Sequence, residues 1–147
     1  MLKEFQRVTI IKIRKTEQKD INKDLQWLSM SLGLFGERDK EKSCFRVFIE
    51  LLKSARKGQP LSSDEIALRT NITRATVIHH LNRLIETGII IPIENKYFLR
   101  TDNLEMLIEE IKKDVIRVLE DMKQMATELD EELGLMKRNK GKTRVVE

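Results

Sequence analysis

Cysteine is almost absent. With Cys44 as the single one among 147 residues, neither an intramolecular disulfide framework nor a cysteine-cluster zinc site can form. Aromatic residues are only 5% of the chain, which suits a helical protein with a small core and a large solvated surface. There are two prolines, Pro60 and Pro92, and both fall where a helix or a central strand would not be expected. No window of about 18 apolar residues occurs, and the N-terminus has no apolar run of signal-peptide length. A soluble, cytoplasmic protein without a membrane partner is expected. Gly-rich phosphate loops, an HExxH helix and a Cys–His pair with a reason to meet are all lacking, so an enzyme is not expected and no cofactor is implied.

What the chain does have is charge, unevenly spread. Charged residues make up 35%, with a formal net charge of +4. Residues 1–101 hold 19 basic and 12 acidic side chains, residues 102–133 hold 4 and 11, and residues 134–147 hold 5 and 1. The excess of positive charge lies in the first two thirds and in the tail, an asymmetry that hints at a nucleic-acid partner.

The first 36 residues read as a strand–helix extension. Residues 5–15, FQRVTIIKIRK, are rich in β-branched side chains and predict a short strand. Over 17–33 the period changes: Ile21, Leu25, Leu28 and Leu32 fall on one helical face, and Gly33 is a stop signal. LFGERDKEK follows as a charged, exposed linker. A helix over 42–56 has Cys44, Phe48, Leu51 and Ala55 on its buried stripe and ends at Gly58 and Pro60.

Residues 61–100 carry the densest signals. Ser62-Ser63-Asp64-Glu65 fits a capping box opening a short helix to about Thr70. Asn71-Ile72 makes a turn and Thr73 is an N-cap for the next helix. There Val77, Leu81 and Leu84 form the inward face, and Gly88 closes it. Residues 89–93 and 96–100 predict a hairpin across Glu94-Asn95-Lys96, with Pro92 tolerable because the strand is an edge. Helix, turn, helix and hairpin, in that order, make a winged helix-turn-helix over 37–101.

From 102 to 134 the pattern is continuously helical. Ile108, Ile111, Val115, Val118, Met122, Met125 and Leu129 alternate spacings of three and four, a heptad seam suited to a coiled coil and a homodimer. Leu119, Ala126 and Leu133 widen the stripe beyond a two-stranded seam. Packing against the chain's own N-terminal helix is the other reading, and the width favours both. Residues 135–147 read as a basic, flexible tail. The fold class expected is mainly α with a small β-wing, an N-terminal strand–helix extension and a long C-terminal dimerisation helix.

If residues 73–87 are a recognition helix, its outer residues are the candidates for DNA contact: Thr73, Arg74, Thr76, Ile78, His79, Asn82 and Arg83. Arg74 has the fork geometry for guanine O6 and N7, and the hydroxyls of Thr73 and Thr76 suit phosphate. Lys96 at the wing tip and Arg100 at its exit are candidates for flanking phosphates. Plainer readings stand beside these: Thr73 as a cap alone, Arg74 and Arg83 as solvated charges. His79 and His80 point to different helical faces and lack a ligand cluster, so no metal site is expected. His80 reads as half-buried, and Cys44 as a core thiol.

The run ITRATVIHHLNRLIETGIII resembles the recognition helix and first wing strand of ArsR-type winged-helix regulators. Thr73, Val77, His79-His80-Leu81, Leu84, Glu86 and Gly88 match their pattern in order. LGLFGERDKEKSCFR and the long acidic helix are similar to archaeal members. The resemblance implies a dimeric transcriptional regulator of double-stranded DNA. The Cys-x-Cys pair of the metal-sensing members is missing from DEIALRT, so metal sensing of that type is not implied. A winged-helix protein-interaction scaffold, recruiting a partner through the long helix, is the alternative.

Overall fold

The computed structural model describes residues 5–15, 17–36, 41–135 and 143–145. The described elements are α1 (Ile21–Ser31), α2 (Ser43–Lys57), α3 (Ser63–Thr70), α4 (Arg74–Thr87), β1 (Ile90–Ile93), β2 (Lys96–Leu99) and α5 (Leu104–Leu133). The chain divides by contacts into residues 1–111 and 112–147, and each unit is taken by itself.

In the first unit α2 is the central element. Cys44, Phe45, Val47, Phe48 and Leu51 are buried, and α2 packs on α3, α4 and β2. Ala55, expected on this stripe, is exposed, and Ser54 takes the buried place. Ser54 satisfies its hydroxyl by donating to the Leu51 carbonyl at 2.9 Å, which makes a polar residue tolerable there. Gly58 ends α2 at φ 66°, the left-handed exit glycine allows.

The capping box is complete. Glu65 N donates to Ser62 Oγ at 3.2 Å and Ser62 N to Glu65 Oε1 at 3.2 Å. Asn71 turns the chain at φ 57°, a conformation Asn tolerates better than most residues. Val77, Leu81 and Leu84 are fully buried, so the apolar spacing of α4 does become the core face, and Ile66 of α3 is buried with them.

The wing is an antiparallel pair with Ile90 opposite Leu99 and Ile93 opposite Lys96. Its turn is two residues, Glu94 and Asn95, both at positive φ of 48° and 67°, as a type I′ hairpin requires. Lys96, expected both to close the turn and to open the second strand, is the first residue of β2. On its other side β2 bridges Leu61, Tyr97 N donating to the Leu61 carbonyl at 2.8 Å. That leaves β1 as the edge, where Pro92 has no ladder donor to supply.

The N-terminal segment corrects the expectation. Residues 5–15 form no strand. They run extended, with Arg7 N donating to the Glu86 carbonyl at 2.9 Å and Ile11 N to the Ser31 carbonyl at 2.8 Å. Their partners are the carbonyl ends of α4 and α1, which carry spare acceptors, and not another strand. Helix α1 begins later than the periodicity suggested because Asp20 caps it, accepting from Asn22 N and Lys23 N. Ile21 is consequently 80% exposed and Leu32 lies just past the last helical residue. The expected linker is also partly core: Leu34 and Phe35 are buried, and the Phe35 ring sits 5.2 Å from that of Phe45. Residues 37–40, the charged part of that stretch, lie outside the described residues.

Helix α5 starts within the first unit, where Leu107 and Ile111 are buried and Ile108 is exposed. Leu107 was not on the expected seam. In the second unit Val115 is half-buried, while Val118, Leu119, Met122, Met125, Leu129 and Leu133 are exposed along the helix. Gly134 turns out of the helix at φ 71°, and Leu135 N donates to the Asp130 carbonyl at 2.9 Å. Most of the basic tail falls outside the described residues. Among the described residues no helix is long and apolar enough to cross a membrane.

Candidate nucleic-acid interface

The helix α4 is held from behind and open in front. Val77, Leu81 and Leu84 anchor it, and Thr73, Arg74, Thr76, His79, Asn82 and Arg83 are exposed. Ile78 is half-buried at the rim. At the N-terminus Thr73 has two tasks. Its Oγ1 accepts from Thr76 N at 3.3 Å and donates to Thr76 Oγ1 at 2.9 Å. The cap therefore uses the Thr73 hydroxyl fully, and the proton left to offer an anion is that of Thr76.

Arg74 lies over the start of α3, its Nε 2.9 Å from Asp64 Oδ1. Both side chains are largely exposed, so the pair is weakly held. Lys96, beside the wing turn, is 3.8 Å from Glu65 Oε1. Glu65 itself titrates below the usual glutamate value. The backbone hydrogen bond from Ser62 is the largest cause, followed by the Ser62 hydroxyl, with Lys96 and Arg69 adding attraction.

Two of the expected DNA contacts also bond backbone carbonyls of their own chain. Arg83 turns to the end of α1 and donates from Nη2 to the Gly33 carbonyl. Arg100 is mostly covered; it donates from Nη1 to the Gly88 carbonyl at 3.3 Å, and Nη2 stands 3.8 Å from Glu110 Oε2. The carboxylates Asp64, Glu65 and Glu110 were not foreseen as partners, because each pairing joins separate elements. His80 is half-buried as expected, its Nε2 2.9 Å from Ser43 Oγ. Among the described residues no group of three His, Cys, Asp or Glu is placed to hold a metal ion.

His79, Asn82 and Arg83 share a shallow cleft of about 220 Å³ with Arg7, Thr9 and Gly33. The N-terminal segment thus forms one wall of the space in front of the second half of α4, a neighbour no local sequence signal announced.

Residues 49–91 match the family model of winged helix-turn-helix DNA-binding domains. Residues 49–91 lie in a winged helix-turn-helix. The match runs from the middle of α2 through α3 and α4 into β1, the part in which capping box, turn and inward face agree with the sequence. No curated protein and no solved structure matches the chain.

Proposed function

We propose that this chain is a dimeric, sequence-specific transcriptional regulator of double-stranded DNA, of the ArsR-like, archaeal type. Residues 37–101 read DNA and residues 102–134 pair two copies. The observation that carries the proposal is the front of α4: Thr76, Arg74, His79 and Asn82 face solvent on a helix whose back is buried. Arg74 and His79 supply base contacts in the major groove, Thr76 and Lys96 supply phosphate contacts, and Thr73, Arg83 and Arg100 hold the frame. The exposed apolar row Val118, Met122, Met125 and Leu129 supports a homodimer through a coiled coil, since such a row is unfavourable in water. Two heads then read half-sites about one helical turn, roughly 34 Å, apart.

Selection of bound sequences from a random duplex pool at fixed salt tests this. A pseudo-palindromic motif is the expected result, and recovery of no motif overturns it. Val118→Glu with Met122→Glu gives monomers by light scattering if α5 pairs the subunits; a persisting dimer places the interface elsewhere.

A second reading rests on the ion pairs. Arg74, Lys96 and Arg100 each lie near a carboxylate, which lowers the net positive charge of the head. That favours a winged-helix scaffold recruiting another protein through α5, and a failed duplex selection with intact folding supports it.

A further inference from the structure

In the winged helix Arg74, Lys96 and Arg100 each stand beside a carboxylate; among the described residues the basic side chains of the N-terminal segment do not. Arg7, Lys12, Arg14 and Lys15 are all exposed, and among the described residues none of them forms an ion pair. The segment is nonetheless fixed. Besides the two backbone hydrogen bonds to the ends of α4 and α1, Gln6 Nε2 donates to the Thr87 carbonyl at 3.2 Å. Trp27 Nε1 donates to the Ile13 carbonyl at 3.0 Å, and the Lys15 ammonium lies 5.2 Å from the Trp27 ring centre.

The seating is close at both helix ends. A Cβ on Gly33 would stand 2.7 Å from Thr9 Cγ2, and one on Gly88 2.6 Å from Gln6 Nε2. Both glycines also sit at positive φ, 72° and 83°. They let the segment pass directly over the C-terminal ends of α1 and α4, so Arg7 is carried beside the open face of α4 and Lys12, Arg14 and Lys15 follow along α1.

We propose that residues 7–15 are a phosphate-gripping arm, laid along the duplex strand that borders the groove entered by α4. This rests on the DNA-binding reading above and names a contact surface beyond it. The chemistry required is a row of cations that keep their charge available and lose little freedom on binding. An ordered strip whose Arg7 and Lys15 lie over aromatic rings, and whose four cations form no ion pair among the described residues, meets that requirement. The winged helix supplies sequence discrimination, and the arm supplies sequence-independent affinity.

The test is a full-chain variant, Lys12→Gln with Arg14→Gln, titrated on the selected duplex over a range of salt. A control, Arg56→Gln with Lys57→Gln, makes the same charge change at the exposed end of α2. The arm variant is expected to lower the slope of log affinity against log salt by about 1.8, from about 0.9 per phosphate contact, with the preferred sequence unaltered and the control slope kept. An unchanged slope in the arm variant, with wild-type binding intact, overturns the arm alone. Equal loss in variant and control also overturns it, as a net-charge effect. Absence of duplex binding by the wild type overturns both the arm and the reading beneath it.

Discussion

Arg74 Nε lies 2.9 Å from Asp64 Oδ1 across the turn of the helix-turn-helix. The residue best shaped to read guanine is thus already in contact with a carboxylate of its own chain. Magnitudes decide the outcome on DNA. An exposed ion pair contributes about 0.2–1 kcal/mol, while a bidentate base contact contributes about 1–3 kcal/mol. On the proposed reading the base contact outweighs the ion pair, and Asp64 is a rest position for the guanidinium.

Arg74→Ala is therefore expected to cost about 1–3 kcal/mol of binding and to relax specificity at one base pair. Asp64→Asn should act in the opposite direction, tightening binding by about 0.2–1 kcal/mol. Anisotropy titrations against the selected duplex and its single-base variants measure both. An Arg74→Ala protein that keeps full discrimination at every position refutes the assignment.

Lys96→Ala should weaken binding to all duplexes alike and lower the salt slope by about 1. A changed base preference, or an unchanged slope, would remove Lys96 from the phosphate contacts.

Glu65 ties pH to stability. Its pKa in the folded chain is lowered from the ordinary 4.5, chiefly by the Ser62 backbone hydrogen bond. Folding therefore favours the ionised form. The stabilisation is complete above the unfolded value and is lost as pH falls through the lower folded value. Ser62→Ala should reduce stability by about 0.5–2 kcal/mol at neutral pH and by less under acid conditions. Urea unfolding at about pH 7 and about pH 3 makes the comparison. A deficit that grows on acidification would contradict the linkage.

Leu107 is fully buried although it stands outside the heptad row. Leu107→Ala should lower stability by about 2–5 kcal/mol through lost burial and a residual cavity. Denaturant titration checks this, and a loss under about 1 kcal/mol would mean that the site collapses onto its neighbours.

The helix-turn-helix was legible because its determinants are local. Ser62 and Glu65 are three residues apart, Val77, Leu81 and Leu84 repeat at helical spacing, and Gly88 needs only its own backbone to stop α4. The errors share an opposite cause. Residues 5–15 have strand-forming side chains, but a strand needs a partner strand, and the acceptors at hand are the Glu86 and Ser31 carbonyls. Leu34 and Phe35 look like linker until Phe45 is placed beside them. The Gly33 carbonyl that accepts from the Arg83 guanidinium, fifty positions earlier, has no local signal either. Each depends on residues that meet only after the chain has folded.

The open edge of the wing bears on solubility. Tyr97 directs its N–H to Leu61 and Arg100 N donates to the Ile89 carbonyl, so along β1 the outward positions are Ile90 and Pro92. Pro92 has no N–H to present. A strand from another molecule would find a gap in the ladder where it needs a donor, and sheet growth from the wing is blocked there. Exposed Ile91 and Ile93 can therefore be carried at the rim of the winged helix without the hairpins of neighbouring molecules fusing into a continuous sheet when they crowd together.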